Sequence, residues 1–173
     1  GMTLIDVPDS AEIATMVKSF FLSTCLEPNI QLNPGLDGYD FHSLTAVVFP
    51  ARFDAYMSHA NMMMAAHSKN SKYELNERFA FHGTSAAYAK DIVRDGFDRS
   101  KNQMGIYGKG SNFSINAWYS SEGRFAKTEH GSGYTEKTIL ICRILTGDSY
   151  PVTNGSSHTT KQNLPTNTRS DNG

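Results

Sequence analysis

The 173-residue sequence predicts an α+β fold. Two stretches repeat apolar residues at the three- and four-residue spacing of amphipathic helices, and runs at 44–49 and 137–145 read as strands. Hydrophobic residues make up 39% of a chain this long, enough for one domain with a buried core and no need of staples.

The first helix is expected to open at Asp9 or Ser10 and run to about Cys25, its apolar residues Ile13, Met16, Val17, Phe20 and Phe21 recurring at three- and four-residue spacing. A Pro/Asn/Gly-rich connector over 28–38 leads to the strand at 44–49, which Pro50 ends. Pro50 also suits the first turn of the next helix, striped by Phe53, Tyr56, Met57, Ala60, Met63, Met64 and His67. A strand at 79–82 then enters a helix at 85–95, with Tyr88, Ile92 and Val93 inward and Gly96 at its end. Residues 98–110 read as loop, 112–115 as strand, 116–125 as helix and 137–145 as an alternating strand. Residues 153–173 are almost wholly polar, a tail or loop that cannot form a core.

Composition narrows the function classes. Lys and Arg number 16 against 17 Asp and Glu, so charge alone points neither to nucleic acid nor to a basic partner. The longest apolar stretches fall far short of the ~20 residues of a membrane helix, so no membrane association is expected. Gly1 before Met2 reads as a cloning remnant, with no signal peptide after it. Cys25 and Cys142 form no disulfide framework, which favours an intracellular setting, cytoplasmic or nuclear. His42, His130 and His158, like Met62 to Met64 with His59 and His67, lack a convincing metal-ligand arrangement, and no metal is expected. Gly105 to Gly110 lacks the spacing of a phosphate loop or a dinucleotide fingerprint.

Five strings occur in order: Phe81-His82-Gly83-Thr84, Asp95-Gly96-Phe97-Asp98, Tyr107-Gly108-Lys109-Gly110-Ser111-Asn112-Phe113-Ser114, Ala117-Trp118-Tyr119-Ser120 and Arg143-Ile144-Leu145-Thr146-Gly147. Together they resemble the catalytic domain of the poly(ADP-ribose) polymerase-like ADP-ribosyltransferases, most closely the mono-ADP-ribosylating branch. That resemblance implies a split, mostly antiparallel sheet with N-terminal helices packed on it, residues 1–173 being one such catalytic domain.

It also implies an activity: an NAD-dependent transferase moving ADP-ribose to a protein acceptor, through positive charge developing on the ribose as in glycosidases. NAD is the substrate implied. His82 orients NAD by its adenosine ribose, Gly83 offers its backbone to the carboxamide, and Thr84 adds a hydroxyl. Ser120, eight residues after the family's tyrosine position, is the second carboxamide partner, and Phe125, five further on, a stacking face. The family's catalytic triad of His, Tyr and Glu is kept here at His82, but Asn112 stands at the tyrosine position and no glutamate follows Glu136. Asp148 and Asp171 are the only later acids, and the family's closing strands are not recognised. Asparagine lacks the tyrosine's ring, so productive orientation is expected to suffer. The alternative is a catalytically inactive module that binds NAD, another ligand or a protein. Without those strands, an open sheet edge is expected to be covered by the tail, a second copy or a partner strand.

Overall fold

In the computed structural model the residues described are 1–25, 41–102, 104–105, 108–131 and 135–148, with the side chains of 104, 105, 108 and 109 left aside. The connector over 28–38, Tyr107 and the polar tail 153–173 lie outside the described residues. The architecture is α+β, as expected, and each pairing with a described register is antiparallel.

Contacts divide the chain into two units. One comprises Gly1–Pro50, Ala80–Gly96 and Phe113–Cys142; the other comprises Ala51–Phe79, Phe97–Asn112 and the chain from Arg143.

The first unit starts with a strand the sequence reading omits. Strand β1 (Thr3–Val7) pairs with β2 (Leu44–Val48), Ile5 opposite Ala46, and the Thr45 hydroxyl donates to Asp6 at 3.1 Å. Helix α1 (Glu12–Ser23) starts later than expected. Asp9 and Ser10 do not cap it: Ala11 stands at the cap position, and Asp9 pairs with Lys18 at 3.0 Å. Its buried face is also rotated, through Ala14 and Phe21, leaving Ile13 and Met16 more than half exposed. The reason is the partner. Phe81, fully buried, is stacked against Phe20 at 5.0 Å and edge-on to Phe21 at 5.8 Å, with Ala117, Ile139 and Ile141 in the same cluster.

Helix α3 (Ala86–Asp95) is capped as the sequence suggests, Ser85 Oγ accepting from the Tyr88 amide, and Gly96 ends it at φ 93°. Ala89 is the residue it buries; Tyr88, expected inward, is 67% exposed. The strand expected at 112–115 reduces to one antiparallel bridge between Ser114 and Phe81. The helix expected at 116–125 is shorter, α4 (Ala117–Ser121).

In the second unit, helix α2 (Pro50–Ala66) begins at the expected proline. Ala60 and Met63 are buried with Tyr73 and Leu145, while Phe53, Met57 and Met64, expected in the same stripe, are exposed. The His67 ring lies 3.8 Å from the Tyr73 ring, nearly parallel, and its Nδ1 is 2.9 Å from the Met63 carbonyl oxygen. Met63 and His67 are packing groups here. Among the described residues no cluster of three or more His, Cys, Asp or Glu could hold a metal ion, and no helix is long and apolar enough to cross a membrane.

Strand β3 (Glu77–Thr84) is longer than expected at both ends. It belongs to a three-stranded sheet ordered β3–β7–β6, with β6 (Thr128–His130) and β7 (Thr135–Leu145). The central strand, β7, loses the clean alternation the sequence suggested: residues of both parities are partly buried from Glu136 to Cys142, as a strand flanked on both edges and packed on its faces requires. Burial pushes the Cys25 thiol up to about 11 and the Cys142 thiol to about 12, which favours the protonated form of both at neutral pH.

At the start of β3, Arg143 grips Glu77 with two hydrogen bonds of 2.6 and 2.9 Å, and the Tyr56 hydroxyl donates to the same carboxylate. Those bonds, from Arg143 first and Tyr56 second, hold the Glu77 carboxyl below its ordinary range. Partial burial, and then Glu77 itself, push the Tyr56 phenol up. Loop 98–110 is not featureless: Arg99–Lys101 forms a 3-10 turn, and β4 (Met104–Gly105) pairs with β5 (Gly108–Lys109).

Candidate functional site

Five of the residues singled out by sequence lie in the first unit: His82, Gly83, Thr84, Ser120 and Phe125. The closest approach is between backbones. A Cβ built on Gly83 would lie 1.8 Å from the Ser120 carbonyl oxygen, 2.9 Å from the Ser120 carbonyl carbon and 3.0 Å from the Ala126 nitrogen. No side chain fits there, so glycine is what allows β3 to press against the end of α4 and the turn after it.

That turn is closed by one carbonyl. Glu122 accepts from the Phe125 and Ala126 amides, both at 2.9 Å, so Phe125 sits on a turn rather than on the helix expected for it. Its position one residue before Ala126 sets it beside the Gly83 approach. The Phe125 ring is 4.9 Å from the Tyr119 ring, and the Arg124 guanidinium lies over both, 4.8 Å from Phe125 and 5.2 Å from Tyr119. Glu122 pairs with Arg124 at 2.9 Å.

Ser120 is 3% exposed, and its hydroxyl donates to the Phe81 carbonyl at 3.0 Å. The same carbonyl accepts from the Ser114 amide at 3.0 Å. The Ser120 oxygen therefore keeps acceptor capacity while its proton is engaged. Thr84 is buried at 8% exposed, and the His82 ring lies 5.7 Å from the Phe113 ring. Gly83, Ser120 and Phe125 are thus brought together, with His82 and Thr84 flanking Gly83 on one strand. Asn112 is exposed and belongs to the second unit.

Residues that no motif flagged also touch this region. Glu129 Oε1 accepts from the Ala86 amide at 2.8 Å, and Lys137 Nζ donates to the Ser121 carbonyl at 2.7 Å. Their signal in the sequence is nil, because a lone Glu and a lone Lys near a strand read as ordinary surface.

A family model, described as the poly(ADP-ribose) polymerase catalytic domain, matches residues 55–172. The chain is 32% identical over 101 residues to the protein mono-ADP-ribosyltransferase PARP14 of Homo sapiens, covering 57% of this chain and 5% of that protein. It is 38% identical over 91 residues to a probable poly(ADP-ribose) polymerase of Dictyostelium discoideum, covering 49% and 26%. It is 32% identical over 93 residues to the protein mono-ADP-ribosyltransferase PARP11 of Mus musculus, covering 43% and 28%. The matches thus span no more than 28% of the length of these relatives.

Proposed function

The chain belongs to the poly(ADP-ribose) polymerase catalytic-domain family, and from that premise we propose that it is an NAD-dependent ADP-ribosyltransferase domain that moves single ADP-ribose units to a protein side chain. The transfer of one unit at a time is supported by similarity to two proteins named as mono-ADP-ribosyltransferases. Reading the chain as one catalytic domain is supported by a family match that runs through residues of both units. An intracellular setting belongs to this reading and agrees with two free cysteines.

One observation carries the site: the space where a Gly83 side chain would stand is taken by the Ser120 carbonyl, 1.8 Å from the built Cβ. Gly83 and Ser120 thereby form one continuous wall for a flat carboxamide-bearing ring, and Phe125 supplies an aromatic face. Backbone groups of Gly83 meet the carboxamide. The Ser120 oxygen, its proton directed to Phe81, serves as an acceptor for the carboxamide N–H. His82 orients the adenosine ribose and Thr84 adds a hydroxyl. These groups bind and orient; no described residue is assigned the glutamate's part.

A second reading, a module that binds without turnover, is favoured by Asn112 at the tyrosine position. Thermal unfolding with NAD and with nicotinamide tests what the two share: both ligands are expected to raise the midpoint, because a ligand of the folded form stabilises it. No shift with either overturns the slot. Incubation with labelled NAD, comparing the chain with Asn112→Tyr, separates the readings. Label transfer that rises in the variant supports the enzyme; binding with no transfer in either chain supports the module.

A further inference from the structure

We propose that Glu129 and Lys137 are positioning residues that hold the two backbone segments of the carboxamide-binding wall in register from a single β-ladder. The inference rests on the slot reading above.

Helix ends leave backbone groups without partners inside the helix. Ala86 is the first residue of α3, three residues after Gly83, and its amide donates to Glu129 Oε1 at 2.8 Å. Ser121 is the last residue of α4, next to Ser120, and its carbonyl accepts from Lys137 Nζ at 2.7 Å. Each segment is therefore tied, within three residues of its site-forming group, by a charge-assisted hydrogen bond with a side chain.

Both side chains come from neighbouring rungs of one ladder. Thr128 pairs with Lys137 and Glu129 with Glu136. Successive residues of a strand point to opposite faces, so adjacent rungs send the carboxylate to one face and the ammonium to the other. The chain entering α3 and the chain leaving α4 are thus referenced to the same pair of strands. In these bonds both charges engage backbone. A built Cβ at Gly83 would overlap Ser120, so the two segments already touch, and a shift of about 1 Å in either moves the groups that meet the carboxamide out of hydrogen-bond geometry.

The test is nicotinamide binding by calorimetry, on the whole chain, for wild type, Glu129→Ala, Glu129→Gln and Lys137→Met, at a temperature where near-ultraviolet circular dichroism shows each folded. Removing either tie is expected to weaken nicotinamide roughly tenfold. Glu129→Gln, which still presents an oxygen to the Ala86 amide, is expected to recover most of the loss. Amide hydrogen exchange is expected to quicken at Ala86 in Glu129→Ala and to stay near wild type in Glu129→Gln. A merely structural role would lower the unfolding midpoint and leave the affinity of the folded fraction alone, and that result overturns the proposal. Should Glu129→Ala not fold, Lys137→Met decides alone, wild-type affinity overturning the proposal. If wild type itself binds no nicotinamide, the slot reading has failed and this inference falls with it; binding by wild type and by all variants alike sinks the inference only.

Discussion

Where the first unit directs Ser120, Glu129 and Lys137 to backbone atoms of Phe81, Ala86 and Ser121, the second joins Tyr56, Glu77 and Arg143 to one another at the surface. The two arrangements contain similar numbers of polar contacts and do different things. A side chain bonded to backbone fixes where the chain runs, and a site made of backbone needs that. A trio of side chains bonded mutually and partly exposed adjusts as a group, and solvent and salt weaken it. The wall of the candidate slot is therefore expected to be sensitive to small changes, and the outer cluster to tolerate them.

Breaking the first arrangement at its closest point gives the largest effect. Gly83→Ala puts a methyl group into a carbonyl oxygen that is part of the backbone and cannot rotate away. A destabilisation of about 3 kcal/mol or more is expected from such overpacking, with loss of nicotinamide binding in whatever remains folded. Denaturant unfolding beside calorimetry measures both, and an alanine variant with wild-type stability would remove the steric basis of the slot.

Ser120→Ala is milder. The Phe81 carbonyl keeps the Ser114 amide as a partner, so about 1 kcal/mol of stability is expected to go rather than the larger cost of a buried unsatisfied group. Affinity for nicotinamide is expected to drop alongside. Lost affinity with almost unchanged stability sharpens the contrast between wall and scaffold, and unchanged affinity removes Ser120 from the site.

The smallest effect belongs to the second unit. Glu77 has its folded-state pKa lowered, first by the Arg143 hydrogen bond and then by Tyr56. A carboxyl lowered on folding contributes stability above its unfolded pKa, and that contribution goes as pH falls through the folded value. Glu77→Gln is expected to change the unfolding midpoint little at neutral pH and to flatten its decline on the acid side, with the difference shrinking in high salt. A large neutral-pH loss from this substitution would contradict the view that the cluster is a surface feature.

Much of this was readable in the letters because it is local. The Pro50 start of α2, the Ser85 cap and Gly96 end of α3, and the strand through Phe81 each follow from residues a few positions apart. The ordered strings from Phe81 to Gly147 led to a family that the match over 55–172 bears out. What was misread depends on distant neighbours. Ile13 and Met16 share the helical spacing of Phe21, yet α1 turns the face carrying Phe21 toward Phe81 and leaves those two exposed. Strand β1 carries a short mark, β-branched Thr3, Ile5 and Val7 at alternate positions, but its pairing depends on a partner far along the chain, 39 residues later for Asp6 and Thr45. Phe125 was drawn onto a helix that stops at Ser121 because Glu122 turns the chain.

Residue type and order by themselves determined the family and marked out Gly83, Ser120 and Phe125 as the candidate groups, since close backbone approach requires a glycine and stacking requires a ring. Only the tertiary structure decided that Gly83 meets the Ser120 carbonyl, that the Ser120 proton goes to Phe81, and that Glu129 and Lys137 tie off the two helices. Hydrogen bonds and close contacts depend on separations of tenths of an ångström between segments far apart in the chain, and no spacing within a sequence encodes such a distance.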